Sequence, residues 1–353
     1  MEMKIENLIR QDLKGFKPYE VHEEHCKFKL DANESPFGIT DAVRKKIITW
    51  LENDENLNIY PDTNQVQLRQ AVAKFYGLAA EHVVCGVGSD QLIDYLCKVF
   101  LNPGDVVLAP SPSFSMYSLS AKLNHGKIVE MPLNSEYTYN VGEIIEAINL
   151  HRPKITFLCT PNNPTGCSLS NDEIAQIATN SEGIIVVDEA YAEFSNESMA
   201  GQVLKHENVI VLRTFSKAYG LAGARIGYGL ACEALIKTLE IVKAPYSLST
   251  LSMLLAVEIL NDMPAYKVRI SEINAEKLHL MDELKKFGWL KVYPSDANFL
   301  FVESERKIAD LFKQNGIMVR QFESKNGLER FRFSVGTKEA NEALVSAIKI
   351  REV

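Results

Sequence analysis

The sequence predicts an α/β fold in which a large unit, built on a mostly parallel sheet covered by helices, is joined to a smaller α+β unit. Three observations carry this expectation. Between residues 82 and 243, short apolar runs alternate with helical patterns. The runs are rich in β-branched residues and bounded by turn formers, as strands buried on both faces are. After residue 250 the texture changes to a long charged helical stretch followed by short strand-like segments.

Residues 1–50 read as an N-terminal arm that joins the smaller unit. The large unit is expected over 51–245, with strands at 82–85, 106–109, 128–131, 155–159, 184–187, 209–212 and 226–230. Leu92, Ile93, Leu96 and Val99 recur at helical spacing between the first two. Ser170 and Glu173 form a capping-box signature ahead of Ile174, Ile177 and Ala178. In such alternating folds, ligands collect at the carboxyl ends of the strands. The smaller unit is expected over 246–353, with helices at 265–287, 304–314 and 337–350 and strands at 298–302, 317–320 and 330–335. With no internal repeat and no flexible linker, the two parts should pack closely.

The chain has 353 residues, 38 Lys plus Arg and 46 Asp plus Glu, a net charge of −8. This ordinary globular composition excludes a disordered chain. The negative balance disfavours nucleic acid or an anionic membrane as the main partner. The N-terminal stretch MEMKIENLIRQDLKG carries charges throughout and is not expected to be a signal peptide. No uninterrupted apolar run approaches the ~18 residues of a spanning helix. Six scattered cysteines without a CxxC pair point to reduced thiols in a cytoplasmic protein. The ligand-rich run His22-Glu23-Glu24-His25-Cys26 has no zinc-site spacing and reads as a solvated arm, so no metal is expected.

The chemistry-bearing residues stand at the ends of expected strands. Asn163 lies in PNNPTG after the strand at 155–159. Asp188 follows four apolar residues, and Tyr191 comes three residues later. Lys217 sits in TFSKAYGLAGARIG after the strand at 209–212, with Arg225 eight residues beyond. A carboxylate after a buried apolar run needs a partner, because an unpaired buried charge is costly. A lysine at the mouth of such a sheet is equally unusual. Gly86 and Gly88 mark a tight strand-to-helix turn, but the three-glycine dinucleotide fingerprint is absent.

Together with LDANESPFG, IYPD, GVGSDQ, PSPSFSMY, VVDEAYAEF, APYSLST, ANFLFVE, GIMVRQF and RFSVGT, these motifs run in order along nearly the whole chain. In this they resemble the fold-type-I aminotransferases that depend on pyridoxal 5'-phosphate, and most closely the histidinol-phosphate aminotransferases. The resemblance implies that Lys217 carries the cofactor covalently, which only a primary amine can do, and then serves as acid and base. It implies that Asp188 holds the cofactor's ring nitrogen protonated, so that the ring can accept electrons. Tyr191 and Asn163 match donors to the ring oxygen. The backbone of Ser89 and Asp90, with Ser216 and Arg225, matches the phosphate cup at a helix start. Phe114 matches the aromatic stacked on the ring, where the family commonly has tyrosine; the face is kept and a hydroxyl lost. Gln91 departs from a common acidic residue and removes one charge near the helix start, a change expected to matter little.

For substrate, Arg332 matches the arginine that clamps a carboxylate as a bidentate fork. Arg320 and Tyr19 match positions that meet the distal phosphate or the glutamate side chain, with Arg330, two residues from Arg332, as a competitor. Asn33 matches a substrate-facing residue of the arm. Tyr60 matches a tyrosine that reaches the cofactor phosphate of the neighbouring subunit, implying a homodimer with shared active sites. The implied activity interconverts histidinol phosphate and 2-oxoglutarate with imidazole acetol phosphate and glutamate, in histidine biosynthesis. Aromatic-amino-acid aminotransferases and threonine-phosphate decarboxylases share most of the frame. A non-catalytic cofactor-binding sensor is the rival of another class, against which stands the retained Lys217.

Overall fold

The computed structural model describes residues 5, 8–14, 16, 26–53 and 56–350. Tyr19 and the stretch 22–25 lie outside them. The chain enters through β1 (Phe28–Leu30), α1 (Asp41–Asn53) and α2 (Val66–Tyr76). Strand and helix then alternate: β2 (Val83–Gly86), α3 (Gly88–Phe100), β3 (Val106–Ser111), α4 (Met116–Leu123), β4 (Lys127–Pro132), α5 (Val141–His151), β5 (Ile155–Cys159), α6 (Asn171–Thr179) and β6 (Ile184–Asp188). Next come β7 (Val209–Thr214), β8 (Gly227–Ala231), α7 (Glu233–Glu240), α8 (Thr250–Asn261) and α9 (Met263–Lys285). The chain ends with β9 (Leu290–Val292), β10 (Phe299–Ser304), α10 (Ala309–Gln314), β11 (Ile317–Lys325), β12 (Leu328–Ser334) and α11 (Lys338–Lys349).

Seven strands form one sheet in the order β2-β8-β7-β6-β5-β3-β4. Pairing is parallel from β7 through β6, β5 and β3 to β4, and antiparallel where β8 meets β7 and β2. Every residue of β5 and β7 is buried. These runs of Val, Ile, Leu and Phe are apolar on both faces because helices cover both, each such side chain contributing roughly 1.5–3 kcal/mol of burial. Two separate apolar cores flank the sheet, with Val187 and Val211 in one and Val186 and Ile210 in the other. The expected capping box starts α6: Ser170 Oγ accepts from the Glu173 amide while Glu173 takes the Ser170 amide.

The second sheet has the order β1-β11-β12-β10-β9. The arm contributes β1, parallel to β11, as the edge strand. The arm does not stay with that sheet, however. Val43 and Ile47 of α1, and Ala256 and Ile259 of α8, enter the core of the seven-stranded sheet, so apolar faces outside the expected span 51–245 complete that core. The helix expected over 304–314 begins only at Ala309. Ser304 ends β10 instead, its hydroxyl donating to the Arg306 carbonyl (2.6 Å) and accepting from the Arg306 amide (3.1 Å), a turn that competes with helix. The short strands β1 and β9 lay below the length at which alternation is readable.

Candidate active site

The carboxyl ends of β3, β5, β6 and β7 open on a cavity of about 1030 Å³ that is closed on its far side by β11, β12 and the arm. Asn33, Ser89, Asp90, Phe114, Asn163, Asp188, Tyr191, Ser216, Lys217, Arg225, Arg320 and Arg332 all line it. These residues come from distant parts of the sequence. The large-sheet residues meet because parallel strands deliver their loops to the same edge, while Asn33, Arg320 and Arg332 come from the arm and the second sheet.

Asp188, the last residue of β6, is 2 % exposed. Burial pushes its carboxyl up to about 6, against the hydrogen bonds from Tyr117 and the Ala190 amide. Tyr117 donates to Oδ2 at 2.7 Å and Ala190 N to Oδ1 at 3.1 Å. Lys217 Nζ donates to the Ala32 carbonyl at 2.7 Å. Burial, and then the nearby Arg332 cation, push its ammonium down to about 8. The Tyr191 hydroxyl accepts from Asn33 Nδ2 at 3.0 Å, and burial raises it to about 12.

A cradle forms where β2 turns into α3. Gly88 has φ +71°, and a Cβ there would stand 2.8 Å from Arg225 Nη2. A Cβ on Gly227 would stand 2.3 Å from the Ser89 amide nitrogen, so glycine is what lets β8 lie against the helix start. Arg225 Nη1 donates to Ser216 Oγ at 3.3 Å, and Nη2 pairs with Asp90 Oδ2 at 3.1 Å. Gln91 has a role the sequence reading passed over: its Oε1 accepts the Val87 amide at 2.9 Å and caps this helix start.

Arg332 of β12 donates to Asn163 Oδ1 and to the Asp31 carbonyl. Arg320 stands opposite it in register on β11 and is exposed at the cavity wall. Arg330 is not on that wall; its guanidinium donates to the Glu323 carbonyl, Nε at 2.7 Å. Tyr60 also lies off the cavity. Its ring is 77 % exposed and stacks on Tyr246 with centroids 4.5 Å apart.

Three features escaped sequence reasoning. Tyr117, three residues beyond Phe114, touches Asp188 from behind. Arg213 is buried at the end of β7 and bridges Glu189 and Glu193, each at 2.6 Å. That triad fastens the segment bearing Asp188 and Tyr191 to the one bearing Ser216 and Lys217. Its signal was present as charged residues next to the motif residues in VVDEAYAEF and RTFSK. Finally, Asp31, Ala32 and Asn33 strap across the site, largely through backbone groups that no side-chain pattern announces.

Residues 26–348 match the family described as aminotransferase class I and II. The chain belongs to that family. Among aminotransferase relatives, the histidinol-phosphate aminotransferase of Caldanaerobacter subterraneus subsp. tengcongensis is 40% identical over 348 residues, 98% of this chain and 99% of its own. That of Thermoanaerobacter sp. is 41% identical over 350 residues, again 98% and 99%. The crystal structure of the Sinorhizobium meliloti histidinol-phosphate aminotransferase with pyridoxal-5'-phosphate superposes with a TM-score of 0.84, at 24% identity, over 91% of this chain and 89% of that one. The resemblance read from the motifs, and the fold-type-I architecture it implied, are thereby borne out.

Proposed function

We propose that this aminotransferase is a pyridoxal-phosphate-dependent histidinol-phosphate aminotransferase, moving the amino group between histidinol phosphate and 2-oxoglutarate. The observation that carries the reading is the meeting of Lys217, Asp188 and Arg332 in one cavity, in a chain about 40% identical to proteins of that name over nearly all of its length. Its residues fit the cofactor. The Gly88–Gly227 cradle leaves the free amides at the start of α3 open to an anion, with Ser216 and Arg225 alongside. Phe114 offers an aromatic face and Asp188 a buried carboxylate. When bound, pyridoxal phosphate supplies a carbonyl that takes up amino groups and a ring that delocalises the electrons of the substrate carbanion.

The chain's own residues do the rest. Lys217, with its ammonium pushed down to about 8, holds a substantial neutral fraction near pH 8 and takes the proton from the substrate Cα at Nζ. Asp188 would supply the negative charge that keeps the cofactor's ring nitrogen protonated. Tyr191, aligned by Asn33, and Asn163 would donate to the cofactor's ring oxygen, and Asn33 would border the substrate from the arm. Arg332 clamps the α-carboxylate of glutamate, and Arg320 faces the distal anion. Two arginines in register across β11 and β12 suit glutamate and 2-oxoglutarate, which carry anions at both ends. Exposed Leu57, Ile59 and Tyr60 support a two-fold homodimer in which Tyr60 serves the neighbouring site. The same reading places the enzyme in the cytoplasm and in histidine biosynthesis. No helix among the described residues is long and apolar enough to cross a membrane.

The test is a half-reaction panel. Holoenzyme is mixed separately with histidinol phosphate, phenylalanine, tyrosine and threonine phosphate, and loss of the cofactor's lysine-bound absorbance is followed. The expected result is fastest conversion by histidinol phosphate. Faster conversion by an aromatic amino acid overturns the substrate assignment, and carbon dioxide release from threonine phosphate overturns the reaction.

A further inference from the structure

Behind the candidate site, Tyr117 is 1 % exposed, and its hydroxyl donates to Asp188 Oδ2 at 2.7 Å. Its ring is fixed on two sides. It stacks on Phe157 with centroids 4.5 Å apart and planes 11° apart, and meets Phe114 edge-on at 5.6 Å. A buried ring so held has one rotamer in which to point its hydroxyl. The titratable groups that interact with Asp188 include Asp90, Glu189, Tyr139, Cys159, Tyr191 and Tyr117, and Lys217 lines the same cavity. The two carboxylates among them disfavour its charge. Among the described residues, Tyr117 is the one side chain that donates a hydrogen bond to it; the other donor is the Ala190 amide.

We infer that Tyr117 is a positioning residue for the transamination: its hydroxyl holds the Asp188 carboxylate in its charged form and in place. PSPSFSMY then supplies two aromatics with separate duties, Phe114 at the cavity wall and Tyr117 behind the carboxylate. Each oxygen of Asp188 accepts one donor from the chain, which leaves lone pairs for the ligand. The inference rests on the reading of Asp188 as the partner of the cofactor's ring nitrogen.

Tyr117→Phe keeps the ring and its stacking and removes only the donor. Without that donor the carboxylate becomes more basic and draws the proton away from the ring nitrogen. Three readouts are expected to move. The pH midpoint of the lysine-bound cofactor's absorbance shifts upward, in the same direction as in Asp188→Asn but by less. The dissociation constant of pyridoxal phosphate rises, and kcat falls, each by roughly tenfold, the low end for a hydrogen bond to a charged group. KM for the amino donor stays within about twofold. In the Asp188→Asn background, Tyr117→Phe has no further effect on midpoint or dissociation constant, a coupling that a packing role does not produce. If Asp188→Asn is impaired while Tyr117→Phe matches the parent, or if the two effects simply add, this inference is overturned and the reading of Asp188 stands. If Asp188→Asn itself binds cofactor and turns over normally, the reading of Asp188 falls, and this inference with it.

Discussion

The floor of the cavity and its rim are built on opposite plans. At the floor, between the ends of β6 and β7, Asp188, Glu189, Arg213 and Glu193 are all buried and all partnered inside one chain. At the rim, Arg320 is exposed, and Tyr60 projects into solvent away from the cavity. Charge that must be controlled is held by groups that are dry and cannot relax, as electrostatic preorganisation requires. The groups that the proposed function assigns to a substrate, or to a second subunit, are left for those partners to order. The comparison therefore predicts large, specific losses at the floor and smaller ones at the rim.

The largest loss is expected at Lys217. Lys217→Ala should abolish turnover while the fold persists, because the side chain's hydrogen bond goes to the Ala32 carbonyl of the arm, and its loss leaves the sheet untouched. Borohydride reduction of the parent holoenzyme and peptide mass mapping should place the cofactor on Lys217. A label on another lysine would remove the basis of the site.

Asp188→Asn should lower kcat by several orders of magnitude, since the amide keeps the shape and loses the charge. Full turnover by a cofactor-saturated variant contradicts that role. A second consequence is readable in the apoprotein. The Asp188 carboxyl is raised from 3.8 to about 6, so its contribution to stability is present below pH 4 and is lost as pH rises through 6. Replacing it removes that dependence. From pH 5 to pH 7, Asp188→Asn apoprotein should gain roughly 1 kcal/mol relative to the parent in urea unfolding. An unchanged difference would mean that the carboxyl is not raised.

How much of this was legible in the sequence follows the same division. The strands of the large sheet could be read because burial on both faces leaves an unbroken apolar run, as at 184–187. Asp188 stood out because a charge directly after such a run is costly, and Lys217 because a lysine at the mouth of such a sheet is unusual. Tyr117 and the Arg213 triad did not, because each acts on another residue across the sheet, and a periodic pattern carries no information about which strand lies next. The strap at Ala32 works through a carbonyl oxygen that every residue possesses. Arg330 and Arg332 share a strand face, yet the cavity ends between them, which spacing alone does not tell.

Of the two arginines, Arg332 is buried between floor and rim, and Arg320 stands at the rim itself. Arg332→Ala should weaken glutamate strongly, by the roughly 2–5 kcal/mol expected when one partner of a desolvated ion pair is removed. It should also loosen Asn163 and the Asp31 strap, both of which it holds. Arg320→Ala should raise KM for glutamate and histidinol phosphate alike, and by less, because its guanidinium is exposed. Steady-state constants for both donors separate these outcomes. If Arg320→Ala alters neither KM, the distal anion is held elsewhere.

The smallest effect, and the sharpest test of the rim, concerns Tyr60. Alone, Tyr60→Ala should weaken cofactor binding by roughly tenfold, as for one hydrogen bond to a phosphate. Its stacking on Tyr246 is too exposed to bear on folding. Because Tyr60 lies off its own chain's cavity, the loss should be felt in the other subunit's site. Lys217→Ala and Tyr60→Ala subunits, mixed and exchanged at cofactor concentrations that leave Tyr60→Ala dimers largely empty, then provide the decisive arrangement. In a two-fold dimer one site of each heterodimer combines Lys217 of one chain with Tyr60 of the other. With half the dimers mixed and one site in two intact, activity should recover to about a quarter of the parent's. If heterodimers form and no activity above the sum of the separate variants appears, Tyr60 serves its own chain, and the rim is completed without a second subunit.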